Sequence, residues 1–181
     1  MKRHNKRRGA ALLEFALTGP PLIFIWISTI QMALGMWHYH TLQYAVKATG
    51  LYLARHGSDC GGSNSCLLEI ENLASQMKTY AIGVPATAIS LTFNSVSSND
   101  HSTVLSSVSC LLTDSTIPAN GCDRNTTQWL PSTNNAVGSE FEIQAEYHWS
   151  PMIGIVTPGA GDPMIFGAFW LPAYTHQVTV F

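Results

Sequence analysis

An acid set inside an apolar run is the first feature of this chain that demands chemistry. Glu14 stands at the head of a stretch that carries no Lys, Arg, Asp or Glu from Phe15 to Val46. A carboxylate costs about 2.5 to 3.5 kcal/mol at mid-membrane and less near the interface, so it calls for a cation. Just upstream, the basic cluster Lys2, Arg3, Lys6, Arg7 and Arg8 ends in Gly9, followed by Ala10. Cleavage after Gly9 would expose the α-amino group of Ala10, whose reference pKa of about 7.7 to 8.0 leaves it largely protonated at neutral pH. Glu14 lies one helical turn from that amine. In a staggered bundle its carboxylate could meet the amine of a neighbouring subunit, each group offsetting the other's desolvation. The competing reading is an unprocessed single-pass anchor in which Glu14 snorkels to the interface beside Arg7 and Arg8, and there the Gly-to-Glu spacing is coincidence.

The element that positions these groups is the apolar run itself. Roughly 20 helical residues cross a hydrocarbon core of about 30 Å, so a helix of this run spans a bilayer and projects beyond it. No small-x-small cleavage site follows the run, so the helix is kept while the leader is lost. The basic cluster stays cytoplasmic and everything after the helix lies on the far side. Gly19-Pro20-Pro21 removes two backbone donors and predicts a break or kink after the second turn.

The whole chain has 181 residues, 46% hydrophobic and only 11% charged, against roughly a quarter charged in an average soluble domain. Those figures disfavour both a freely soluble cytosolic protein and a disordered chain. Beyond residue 9 there remain four bases against all eleven acids, a net charge of −7. Such a body repels phosphate backbones, and no nucleic-acid partner is expected.

From Trp37 to His56 the pattern becomes amphipathic, with Leu42, Ala45, Val46, Thr49 and Leu53 at helical spacing and Gly57 as a stop. His38 and His40 point away from each other on such a helix, which argues against a metal site and for interfacial polar residues beside Trp37 and Tyr39. Leu67 to Ile82 reads as a second helix with Leu67, Ile70, Leu73, Ala74, Met77 and Ala81 on its core face. Strand patterns follow over 88–94, 104–112, 140–149 and 173–181, the third alternating Phe141, Ile143, Ala145, Tyr147 and Trp149 against Glu140, Glu142, Gln144, Glu146 and His148. That acidic row reads as a solvated sheet face and not as a general acid/base set.

Four cysteines, Cys60, Cys66, Cys110 and Cys122, all follow the membrane helix, on the side expected to be oxidising. Three pairings are possible, and the short turn-bearing loops favour Cys60 with Cys66 and Cys110 with Cys122. Their spacing is unlike that of zinc sites. Asn125-Thr126-Thr127 fits a glycosylation acceptor, a short motif common by chance. The Gly-, Pro- and aromatic-rich segment from Pro151 to Pro172 reads either as a loop closing over the sheet or as an exposed apolar loop for a partner. No phosphate-cradling Gly loop, H-E-x-x-H or G-x-S-x-G is present, so no catalytic residue, cofactor or metal is expected.

The run Arg8-Gly9-Ala10-Ala11-Leu12-Leu13-Glu14-Phe15-Ala16-Leu17, followed by Pro20, resembles the N-terminus of type IV pilin-like proteins. Within that superfamily it is most similar to the TadE-like pseudopilins of tight-adherence (Flp-type) pilus systems. The resemblance implies cutting by a prepilin peptidase after Gly9, Glu14 as the fifth mature residue, and Pro20 six residues further on. A small-residue helix through Tyr44 to Arg55 and the segment Tyr147-His-Trp-Ser-Pro151 are looser matches, while the second proline, Pro21, and the four cysteines depart from the pattern. What it implies is a minor pilin or pseudopilin without catalytic role, in the inner membrane with its C-terminal domain periplasmic, or carried into an extracellular pilus. Its partners would be the prepilin peptidase, other pilin subunits and the inner-membrane pilus assembly machinery. A single-pass membrane-anchored periplasmic binding domain unrelated to pili is the alternative. The expected architecture is α+β: a leader over 1–9, a membrane-spanning helix over 10–56 that extends outside, and a small disulfide-stapled antiparallel-sheet domain over 57–181.

Overall fold

A computed structural model describes residues 5–56, 68–113, 121–131, 138–149 and 169–179, with side chains considered from Leu12 onward and that of Phe169 left aside. Helix α1 runs from Asn5 to His56 and passes through two compact units divided after Trp37. In the first unit its apolar side chains are bare: Leu12, Phe15, Leu17, Ile25 and Trp26 are all exposed. Leu12 to Trp37 corresponds to a rise of roughly 39 Å at 1.5 Å per residue, enough to cross a hydrocarbon core.

The second unit begins at His38. Its elements are β1 (Leu68–Glu69), α2 (Ile70–Tyr80), β2 (Ile89–Val96), β3 (Val104–Leu111), β4 (Gln128–Trp129), β5 (Glu140–Trp149) and β6 (Phe169–Val178). Four strands form an antiparallel sheet in the order β3-β2-β5-β6, while β1 and β4 pair separately. The class is α+β, as the sequence implies. Period-2 alternation sends Ile89, Leu91 and Phe93 of β2 and Phe141, Ile143 and Ala145 of β5 to one face, where they are fully buried. Against them pack Leu42, Ala45, Val46 and Leu53 of α1 and Ile70, Leu73, Ala74 and Met77 of α2. Both helices therefore cover one face of the sheet.

In the sheet domain, two element starts are displaced by more than two residues from the sequence expectation. Helix α2 begins at Ile70, later than Leu67, because the chain first pairs with β4 (Leu68 with Trp129, Glu69 with Gln128). Its opening amides Ile70 N and Glu71 N donate to the carbonyls of Thr127 and Asn125 at 3.0 and 2.9 Å, so backbone replaces a side-chain cap. The last strand starts at Phe169, earlier than Ala173, and contains Pro172. An edge strand tolerates this: the missing N–H faces away from β5, and the Pro172 carbonyl accepts from Gln43 Nε2 at 3.3 Å. The loop reading of 151–172 is thus corrected over its last four residues, and residues 151–168 lie outside the described ones.

Cys110 and Cys122 form a disulfide with a Cα separation of 5.3 Å, joining β3 to the turn over Cys122–Arg124. Lys78 of α2 bonds Asp123 in the same turn at 2.7 Å. Cys60 and Cys66 lie outside the described residues.

Candidate functional site

The candidate site of the stem is built on the first turns of α1. Gly9 and Ala10 belong to its helical backbone, and Glu14 follows Ala10 by four residues, on the same side of the helix. The rest of the leader, residues 1–4, lies outside the described residues. Glu14 is exposed, flanked by Leu13 and Phe15 at 73% and 72% exposure. Its carboxylate has no ion-pair partner among the described residues. The Glu14 carbonyl accepts from Thr18 Oγ1 at 2.9 Å, and that of Ile25 from Thr29 Oγ1 at 2.8 Å. The stem's threonines thus satisfy their hydroxyls on their own helix, one turn back.

Helix α1 continues through Pro20 and Pro21 without a break. Each proline withdraws one donor, leaving the carbonyls of Ala16 and Leu17 without their i+4 amides. Long runs of helix on both sides keep the segment helical, since extending a formed helix is far easier than starting a new one. Of the break or kink expected at Pro20 and Pro21, the break does not occur.

A second cluster, missed in the sequence, sits on the outer face of the sheet. Glu140 belongs to the row expected to be solvated, yet it is 6% exposed. His101 Nδ1 lies 2.6 Å from its Oε1, and His176 Nε2 lies 3.4 Å from its Oε2. Glu142 and Glu146 on the same strand do reach solvent. His101 sits at φ 57° in the turn between β2 and β3, and only a turn of that shape swings its ring over the strand end. The legible clue was Asn99-Asp100, a turn-forming pair between two strand patterns. Asp100 anchors the turn, its carboxylate bonded by the Thr103 hydroxyl and by the amides of Thr103 and Ser102. Those bonds, the Thr103 hydroxyl first, hold its pKa below the ordinary carboxylate value. Among the described residues no group of three His, Cys, Asp or Glu side chains could hold a metal ion.

The His38 ring packs edge-on to Tyr147 at 5.4 Å between centroids. Burial raises the Tyr147 pKa above its ordinary value. Asn125 has a structural duty, accepting from the Thr127 amide at 3.0 Å while its carbonyl caps α2. An open groove of about 350 Å³ crosses the outer face between Thr87, Ala88, Ser90, Leu111, His148 and Trp170.

These features define a protein with, among the described residues, one helix long and apolar enough to cross a membrane and a helix-backed antiparallel sheet domain. Its stem is TadE-like: residues 9–50 match the family model described as TadE-like protein. The match takes in Gly9, Ala10, Glu14 and both prolines and ends at Gly50, before any strand of the sheet. No curated protein and no solved structure matches the chain.

Proposed function

We propose that this chain is a minor pilin or pseudopilin subunit that acts in assembly of a tight-adherence, Flp-type pilus and has no catalytic role of its own. The observation that supports the reading is the Glu14 carboxylate, without an ion-pair partner among the described side chains, one turn beyond Ala10 on a bare apolar helix whose residues 9–50 match the TadE-like family model. In lipid such a charge favours any arrangement that brings it a cation. The α-amino group of a neighbouring subunit, freed by a prepilin peptidase after Gly9, is that cation. The basic leader keeps the N-terminus cytoplasmic, and the sheet domain with its disulfide lies on the periplasmic side.

N-terminal sequencing of the chain recovered from membranes tests the first step. The mature protein should begin at Ala10, and Gly9→Leu should block cutting by obstructing the backbone at the scissile bond. Recovery of Met1-initiated chain alone, from cells with an active prepilin peptidase, would sink the reading.

A further inference from the structure

Two exposed surfaces of the sheet domain complement each other in charge, chemistry and spacing, and they point in directions that prevent their meeting within one chain. The first is the outer face of β5 and β6. It carries Glu142 and Glu146, and no Lys or Arg occurs in any of the four strands of the sheet. The register sets Tyr174 beside Gln144, Pro172 beside Glu146 and Trp170 beside His148. Trp170 and Tyr174 are 58% and 68% exposed, large aromatic surfaces on a sheet face that nothing else in the described chain covers.

The second surface is the side of α1 turned away from the core. Tyr44, Lys47, Leu51 and Arg55 recur at helical spacing and are all exposed, with Tyr44 at 61% and Leu51 at 41%. The body beyond residue 9 has four bases, Lys47, Arg55, Lys78 and Arg124. Lys78 is bound to Asp123, whereas neither Lys47 nor Arg55 has an ion-pair partner among the described residues. Half of the body's cations therefore lie on one exposed stripe.

The spacing agrees. Lys47 and Arg55 are eight residues apart on a helix, roughly 12 Å at 1.5 Å per residue. Glu142 and Glu146 are four apart on a strand, roughly 13 Å at 3.3 Å per residue. Leu51 lies midway between the two cations, and Gln144 with its neighbour Tyr174 lies midway between the two carboxylates. Setting Lys47 against Glu146 and Arg55 against Glu142 places Leu51 over Tyr174 and brings Tyr44 toward Trp170. Apolar surface then meets apolar surface between two ion pairs.

From this complementarity we infer that the sheet domain binds a second copy of this chain, the α1 stripe of one copy lying across the outer β5–β6 face of the next. The inference deepens the assembly reading and rests on it. Because stripe and face are different surfaces, the contact is heterologous: each copy offers one of the two to each neighbour, and the chain of contacts ends in a ring or runs on as an open filament according to the rotation between copies. Since α1 packs on the inner face of the sheet, Lys47 cannot reach Glu146 of its own chain.

The test mixes isotopically light and heavy full-length chain in detergent micelles and applies a carbodiimide, which joins an amine directly to a carboxylate. An amide between Lys47 of one label and Glu146 of the other is the expected product. Its yield should fall as salt rises. Reversing one charge, Arg55→Glu or Glu142→Arg, should weaken self-association about tenfold. Mixing those two variants should restore it, since every junction is then matched, and Arg55→Lys should retain it. Arg55 is exposed, so an unchanged unfolding temperature is expected for its variants, whereas Glu142 is half-buried and accepts from Asn94 Nδ2 at 3.4 Å, so the Glu142→Arg effect is read by its rescue with Arg55→Glu. Mixed-label links that are absent, or that survive undiminished in Arg55→Glu, would overturn the contact. So would links from Glu146 only to lysines of a different pilin present in the same membrane. A chain that begins at Ala10 and still associates with pilins through Glu14 would, in that case, leave the assembly reading standing and remove only this surface.

Discussion

Gly50 marks the tightest approach between α1 and the sheet. A Cβ at this position would lie 2.7 Å from Thr175 Cγ2 and 3.4 Å from Gln177 Cγ. Thr175 is buried and β-branched, so its methyl has few other places to go. Gly50→Ala should therefore destabilise the sheet domain by about 1 to 3 kcal/mol, the usual range for overpacking. Adding Thr175→Ser, which deletes the offending methyl, should return much of the loss in urea unfolding followed by tryptophan fluorescence. At Asp100 the effect runs with pH. Its folded pKa is lowered, so its contribution to the turn is fully present above the unfolded value and is lost as pH falls through the folded one. Protection of the Ser102 and Thr103 amides, taken relative to their intrinsic exchange rates at each pH, should be present at neutral pH and lost in acid below the carboxylate range, while Asp100→Ala should lack that protection at both.

At the scale of elements, the disulfide does the work of a missing strand pairing. Residues 121–131 contribute only the two-residue β4 and one isolated bridge from Gly121 to Leu111, yet this segment caps α2 and buries Trp129 and Leu130. Closing a loop of about 13 residues is worth roughly 3 kcal/mol in the chain-entropy model. Replacing Cys110 and Cys122 together with alanine should lower stability by about that amount and, more specifically, expose Trp129 to quenchers before the sheet itself opens.

The long strand β5 was legible because a half-buried strand prints its alternation directly in the sequence, from Phe141 to Trp149. The helical face of α2 was legible for the same reason. The start of β6 was hidden because Trp170-Leu171-Pro172 reads as loop until one knows that the strand lies at an edge. Strands β1 and β4 were invisible because each is two residues long and exists only through a partner some 60 positions away. Glu140 likewise alternates as an outer residue, and its burial depends on a turn and a last strand that bring two imidazoles to it.

For the whole molecule, the stem and the sheet domain divide the labour, and a stem variant tests that division. Glu14→Gln keeps the size of the side chain and removes its charge. The variant should insert, be cut after Gly9 and form the Cys110–Cys122 bond normally, yet fail to co-purify with its pilin partners. Wild-type co-purification at native expression would return Glu14 to the status of a tolerated interfacial residue. The family signature is legible in the stem because its chemistry is local, confined to a few turns of one helix. The domain's surfaces were not legible, since they arise only when strands distant in sequence are laid side by side.

The contact of Gln43 and Gly50 with β6 also fixes an order in time. These helix residues meet Pro172 and Thr175 across more than 120 positions of chain. A ribosome delivers the helix first and the last strand last. Until residues 169–178 emerge, the α1 face from Leu42 to Leu53 lacks the strand at that edge of its cover, and β5 has no neighbour on one side. A nascent chain halted before β6 would present apolar helix and an open strand edge together, the combination that invites aggregation or capture by a holding chaperone. Truncation at residue 168 should accordingly yield a membrane-associated chain that is rapidly degraded, whereas the full-length chain persists. Completion of β6 is thus the checkpoint at which the sheet domain becomes safe to leave unattended.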